Sequence, residues 1–183
     1  MAYRINGILD INFQGLNLNC GRYCLEAVMR WKHGSAFGKA VTAAAAWNPA
    51  NNRHEATYGA GRTAHSAAAQ AHIDTPFKVG FDPGNYTADY GLAALAKPQS
   101  AAQWEAALRT YGPLIVAGHI GAVRIIPLQA AGHFIVVVGV NASNEIEYYD
   151  PLRPWHALGG EPTTMSHAEF DQLTYNQVYA AAV

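Results

Sequence analysis

An α+β fold is predicted by where two periodicities fall along the 183 residues. Apolar residues recur at helical spacing early in the chain, while short β-branched runs gather in its second half. Helices before strands argue against alternating βαβ units and for helices packed on an antiparallel sheet. Half the residues are hydrophobic and 14% are charged, which suits a sizeable core and excludes a disordered chain. Residues 1–183 therefore read as one domain, with a helical N-terminal part packed on a C-terminal antiparallel β-sheet.

The first helix is expected from Cys20 to Lys32. Cys24, Leu25, Val28 and Met29 form its apolar stripe, and Gly34 ends it. Ala40 to Trp47 is Ala-rich and reads as a second helix, stopped near Pro49. Asn48 to Tyr58 is polar and turn-rich, and Thr63 to His72 reads as a third helix. Pro76 to Tyr90 is irregular, with Pro83-Gly84 as a turn signal. Ser100 and Gln103 form a capping box for a helix marked by Trp104, Ala107, Leu108 and Tyr111; Gly112-Pro113 stops it. Leu114 to Ala117, Phe134 to Val140 and Glu145 to Tyr149 read as strands, the last two joined by a turn at Asn141 to Asn144. Ser166 and Glu169 form a second capping box, and Gln177 to Ala182 reads as a last strand.

A formal net charge of -1 points to neither nucleic acid nor an anionic membrane surface as a partner. Apolar runs such as Phe134 to Val138 are too short to span a bilayer. The N-terminus lacks the continuous apolar region of a signal peptide, so a cytoplasmic protein or one exported by a signal-independent route is expected. Two cysteines, Cys20 and Cys24, make no disulfide framework, and their i, i+4 spacing on a helix suits a mutual disulfide poorly.

Cys20 opens the first helix, where unpaired backbone N–H groups favour a thiolate, and Gln14 lies six positions before it. A polar amide there is placed to donate to an oxyanion. A nucleophilic thiol needs a histidine, and the histidine needs an orienting partner. His133 begins an aliphatic strand, and Asp150 ends the next one. In an antiparallel hairpin the start of one strand lies beside the end of the next, so His133 and Asp150 are expected as neighbours. Free cysteine titrates at about 8.5 and histidine at about 6.5, and pairing stabilises both charges. Such a set attacks a carbonyl and protonates the leaving amine.

Gln-x5-Cys with a helix on the cysteine, then a Gly-His-aliphatic strand and an Asp-Pro a hairpin later, resembles the papain-like cysteine peptidase superfamily. Asn19-Cys20-Gly21-Arg22-Tyr23-Cys24-Leu25 resembles the Asp-Cys-Gly-x-x-Cys-Leu signature of bacteriocin-processing (double-glycine-leader) peptidases. Gly112-Pro113-Leu114-Ile115-Val116-Ala117-Gly118 followed by Gly132-His133 resembles bacterial effector-type papain-like proteases. The resemblance covers roughly Asn12 to Trp31 and Tyr111 to Pro154; the segment between, with Arg53, His54, Arg62, His65 and His72, matches no pattern and is where specificity is expected to reside. Two departures are Asn19 in place of the signature's Asp and no Trp directly after Cys20, as papain has.

The resemblance implies a papain-like fold and a cysteine protease acting on a protein or peptide. Cys20 is then the nucleophile, His133 the base, Asp150 its orienter and Gln14 an oxyanion donor. It implies no cofactor and no metal. It also implies a secreted bacterial effector or toxin domain, stand-alone or excised from a larger toxin because no zymogen propeptide precedes Cys20, with an inhibitory immunity protein as partner. A deamidase or a cell-wall amidase would use the same residues, and an inactive binding module would keep the fold without the chemistry.

Singly, each residue has an ordinary structural reading: a buried thiol, a core histidine, a turn aspartate. Cys24 is an alternative nucleophile and Asn141 an alternative orienter. His65 and His72, seven apart, lack further ligands at metal spacing, and Gly59-Ala60-Gly61 is too short for a nucleotide loop. His119 reads as a surface residue, while Trp155 and His156 either line the cleft or are buried.

Overall fold

A computed structural model describes residues 2–5, 20–33, 83–120, 132–153, 156 and 160–181. The expected helices at Ala40 to Trp47 and Thr63 to His72, the polar stretch Asn48 to Tyr58, and residues Gln14, Gly34, Arg53, His54, Arg62 and Trp155 lie outside the described residues, as do Gly59 to Gly61.

The described elements are β1 (Tyr3–Arg4), α1 (Cys20–His33), a 3-10 turn (Pro83–Tyr86), α2 (Thr87–Tyr90), β2 (Leu92–Leu95), α3 (Ala101–Tyr111), β3 (Leu114–Gly118), β4 (His133–Val140), β5 (Glu145–Tyr149), β6 (Thr163–Ser166), α4 (His167–Leu173) and β7 (Thr174–Ala181). The strands form one antiparallel sheet in the order β2-β7-β3-β4-β5-β6. β1 pairs with the far end of β4, through Tyr3 opposite Val140 and Arg4 opposite Gly139. The α+β class is thus as expected. The strict order of helices then strands is not: β1 precedes α1, and β2 precedes α3.

All eight residues of β4 are buried, so both faces of this strand are covered. α1 packs on β4 and β3, α3 on β4, and α4 against β5, β6 and β7. Cys24, Leu25, Val28 and Met29 of α1 are all buried, as their spacing predicts. Trp104 of α3 meets Phe170 of α4 edge-on at 5.4 Å between ring centroids, and Phe170 also meets Tyr148 of β5. These aromatic contacts stitch the helices to the sheet.

Both capping signals act. The Ser100 hydroxyl accepts from the Gln103 N–H, and the Ser166 hydroxyl from the Glu169 N–H. The return bond of the first box is displaced by one residue: Gln103 Oε1 accepts from Gln99 N–H at 2.7 Å. Gly112 closes α3 at φ 80°, and its missing Cβ leaves room for the Trp31 ring. The β4–β5 turn is held by the Asn141 side chain, whose Oδ1 accepts from Ser143 and Glu145 N–H at 2.9 and 3.0 Å, with Asn144 left-handed at φ 61°.

Candidate active site

Cys20 is the first residue of the fourteen-residue α1, and that helix packs on β4. The Phe134 backbone N–H points at Cys20 Sγ, 3.4 Å away. A donor at that distance favours negative charge on the sulfur, in addition to the helix N-terminus. Cys20 is 7% exposed, so a small part of it reaches solvent. Cys24, one turn on, is fully buried; burial pushes its thiol well up, and the charges of Cys20 and Asp150 add to this. A thiol held neutral and sealed from solvent is a poor nucleophile, which separates the two cysteines.

His133 begins β4, and Asp150 follows directly on β5. The antiparallel register brings them together, with His133 Nε2 2.7 Å from Asp150 Oδ1 and both side chains buried. Nε2 being engaged by the carboxylate, Nδ1 is the ring nitrogen left for the thiol. Burial opposes charge on this imidazole. Hydrogen bonds to Asp150 and Cys20, and the charges of both, outweigh it and push its pKa up to about 9. His133 is therefore an imidazolium at neutral pH, between a carboxylate and a sulfur.

Asp150 is itself held by neighbours to which the sequence reading gives no such part. Oδ1 also accepts from the Leu152 N–H at 2.8 Å, and Oδ2 lies 3.7 Å from Arg153 Nε. Its backbone N–H donates to Nδ1 of the buried His156 at 2.8 Å. His156, weighed between a cleft-lining and a buried residue, is buried. Asp150-Pro151 is more than a turn here: the chain after β5 folds back on itself, with Arg153 N–H donating to the Asp150 carbonyl at 3.0 Å.

The other candidates are elsewhere. Asn141 closes the opposite end of β4, so it is not beside His133 and does not orient it. His119 follows β3, half-buried, with its ring edge-on to Tyr175 at 5.5 Å. Gln14, His65 and His72 lie outside the described residues. Among the described residues, no group of three or more His, Cys, Asp or Glu is placed to hold a metal, and no helix is long and apolar enough to cross a membrane.

A family model described as papain-like cysteine protease AvrRpt2 matches residues 41–170. The match takes in His133 and Asp150, begins after Cys20, and includes the middle segment that carries no recognisable motif. No curated protein matches the chain.

Proposed function

The chain belongs to the papain-like cysteine protease AvrRpt2 family and is a cysteine peptidase, a hydrolase acting on protein, and on that premise we propose that Cys20, His133 and Asp150 are its catalytic triad. The observation that carries this reading is His133 held 2.7 Å from a buried carboxylate, on a strand whose next residue, Phe134, points its backbone N–H at Cys20 Sγ from 3.4 Å.

In the proposed reaction Cys20 Sγ attacks the scissile carbonyl carbon, forming a C–S bond and moving the C=O electrons onto oxygen. The Cys20 backbone N–H and the Gln14 side chain stabilise that oxyanion; each such donor is worth about 10²–10³ in rate. Collapse breaks the C–N bond, and His133 gives its proton to the departing amine. His133 then takes a proton from water, whose oxygen attacks the thioester and releases the acid and the Cys20 thiolate. Asp150 keeps the imidazole in place and supports its charge throughout. Residues 1–183 form one peptidase domain. The natural setting is delivery as a bacterial effector or toxin, with an immunity protein as inhibitor in the producing cell.

The test compares the proteomes of cells expressing the wild type, Cys20→Ala and Cys24→Ala. New protein N-termini are expected with the wild type and with Cys24→Ala, and none with Cys20→Ala. The same new termini from Cys20→Ala overturn the assignment. Glutamines heavier by about one dalton, with no new termini, identify a deamidase instead.

A further inference from the structure

His156 lies outside the triad and is fully buried six residues after Asp150. Its Nδ1 sits 2.8 Å from the Asp150 backbone nitrogen, a donor, and 3.2 Å from the Asp150 carbonyl oxygen; the shorter contact, whose proton belongs to the backbone N–H, makes Nδ1 the unprotonated acceptor. The ring proton is then on Nε2, which faces the Thr163 hydroxyl of β6 at 3.3 Å. The ring also packs edge-on against Tyr149 at 5.2 Å, and the backbone N–H of His156 donates to the Arg153 carbonyl at 3.1 Å. One neutral imidazole thus spans from the β6 edge strand to the backbone of the residue that holds His133. A turn aspartate needs no such brace; a carboxylate that must face one imidazole nitrogen does.

We propose that His156 is a positioning residue for the peptidase: as the Nε2–H tautomer it pins the Asp150 backbone to Thr163 and so fixes the carboxylate against His133. This inference rests on the triad reading. Burial, helped by the nearby Arg153, lowers the pKa of this ring, against the backbone hydrogen bond and charge of Asp150. Among the described residues, the charged or titratable groups around the assembly are Cys20 and Cys24 on α1, His133 on β4, Asp150 and Arg153 after β5, and Tyr149 on β5. Asparagine places an amide oxygen near the Nδ1 position and preserves the bond to Asp150. Glutamine reaches the Nε2 position and preserves only the bond to Thr163.

The test follows iodoacetamide alkylation of Cys20 against pH in the intact protein, with thermal melts to verify folding. The wild-type profile is expected to inflect where His133 loses its proton, near pH 9. Asp150→Asn is expected to lower that inflection by about one pH unit. His156→Gln and Thr163→Val move it the same way by less, and His156→Asn leaves it near the wild-type position. If Asp150→Asn shifts the inflection while the folded His156→Gln and Thr163→Val do not, the role of His156 is overturned and the triad stands. If Asp150→Asn also leaves it in place, the triad reading itself fails. Should the His156 variants not fold, nitrogen-15 shifts of the wild-type ring decide: a protonated Nε2 with bare Nδ1 supports the brace, and the opposite tautomer or a ring that titrates near 6.5 overturns it.

Discussion

The β4–β5 hairpin carries a buried carboxylate at each end, and the two do different work. At one end Asp150 faces His133 and, through it, Cys20. At the other, Glu147 is clasped by Arg4, with Arg4 Nε 2.8 Å from Oε2 and a second bond from the guanidinium to Oε1. Arg4, Gly139 and Glu147 lie on one cross-strand row, and the absent side chain of Gly139 lets the ions meet over β4. An arginine stays charged at every accessible pH, so that pair is a fastener. A histidine changes charge between pH 5 and 10 when its neighbours move it, so the other pair is available for proton transfer. The partner of the carboxylate, not its burial, decides which end is suited to proton transfer.

The sharpest way to break this contrast is to disable one end and ask what is lost. His133→Gln is expected to cut peptide hydrolysis by about 10³–10⁴, and Asp150→Asn by about 10² or more, while each melt stays cooperative. Steady-state rates beside calorimetric melts check it. Near-wild-type activity from Asp150→Asn would mean that its carboxylate is structural, like that of Glu147.

The end that brings His133 and Asp150 together was readable because its signals are local and periodic. Cys20 sits at the start of an amphipathic run, His133 at the start of a β-branched run, and the polar turn Asn141 to Asn144 sets the hairpin that joins His133 to Asp150. Three short strands were not. β1 is two residues long and β6 is Thr-Thr-Met-Ser, both too short to show a period. β2 is Leu-Ala-Ala-Leu, whose alanines favour helix; pairing with β7 overrides that preference. His156 was legible only as a cleft-lining or buried residue, since its bond to the Asp150 backbone N–H is something composition does not record. An inward histidine shortly after an Asp-Pro was the only available hint.

The two ends also differ in how stability responds to pH. The folded-state pKa of His133 is raised to about 9 from 6.5, so its pairing contributes fully below pH 6.5 and is lost as pH climbs through 9. That window holds stability on the order of 3 kcal/mol. Cys24, pushed above its usual 9, adds a loss further into alkali. His156 has the opposite sign: its pKa is lowered, so its contribution is present above 6.5 and falls as pH drops below it. Chemical denaturation from pH 5 to 10 is expected to show a maximum near neutrality and a decline toward 9. Asp150→Asn should flatten that decline; an unchanged slope would place its origin elsewhere in the chain.

The smallest expected effect isolates the fastener. In Glu147→Gln the buried side chain keeps its size, but a carboxylate that accepts two guanidinium bonds becomes an amide that accepts poorly and must also find partners for its own N–H groups. Arg4 keeps its contact with Glu161 at the surface and its side chain is 43% exposed, so water replaces part of what is lost. The cost is therefore about 1–2 kcal/mol, below that of stranding a fully buried charge. Because the row Arg4-Gly139-Glu147 lies at the opposite end of β4 from His133, the rate per folded molecule should stay within about twofold of wild type. The Cys20 alkylation profile should keep its inflection near 9. A Glu147→Gln protein that is stable but slow, or whose inflection moves, would show that the fastener reaches the thiol through β4. The hairpin would then act as one unit rather than as two separable ends.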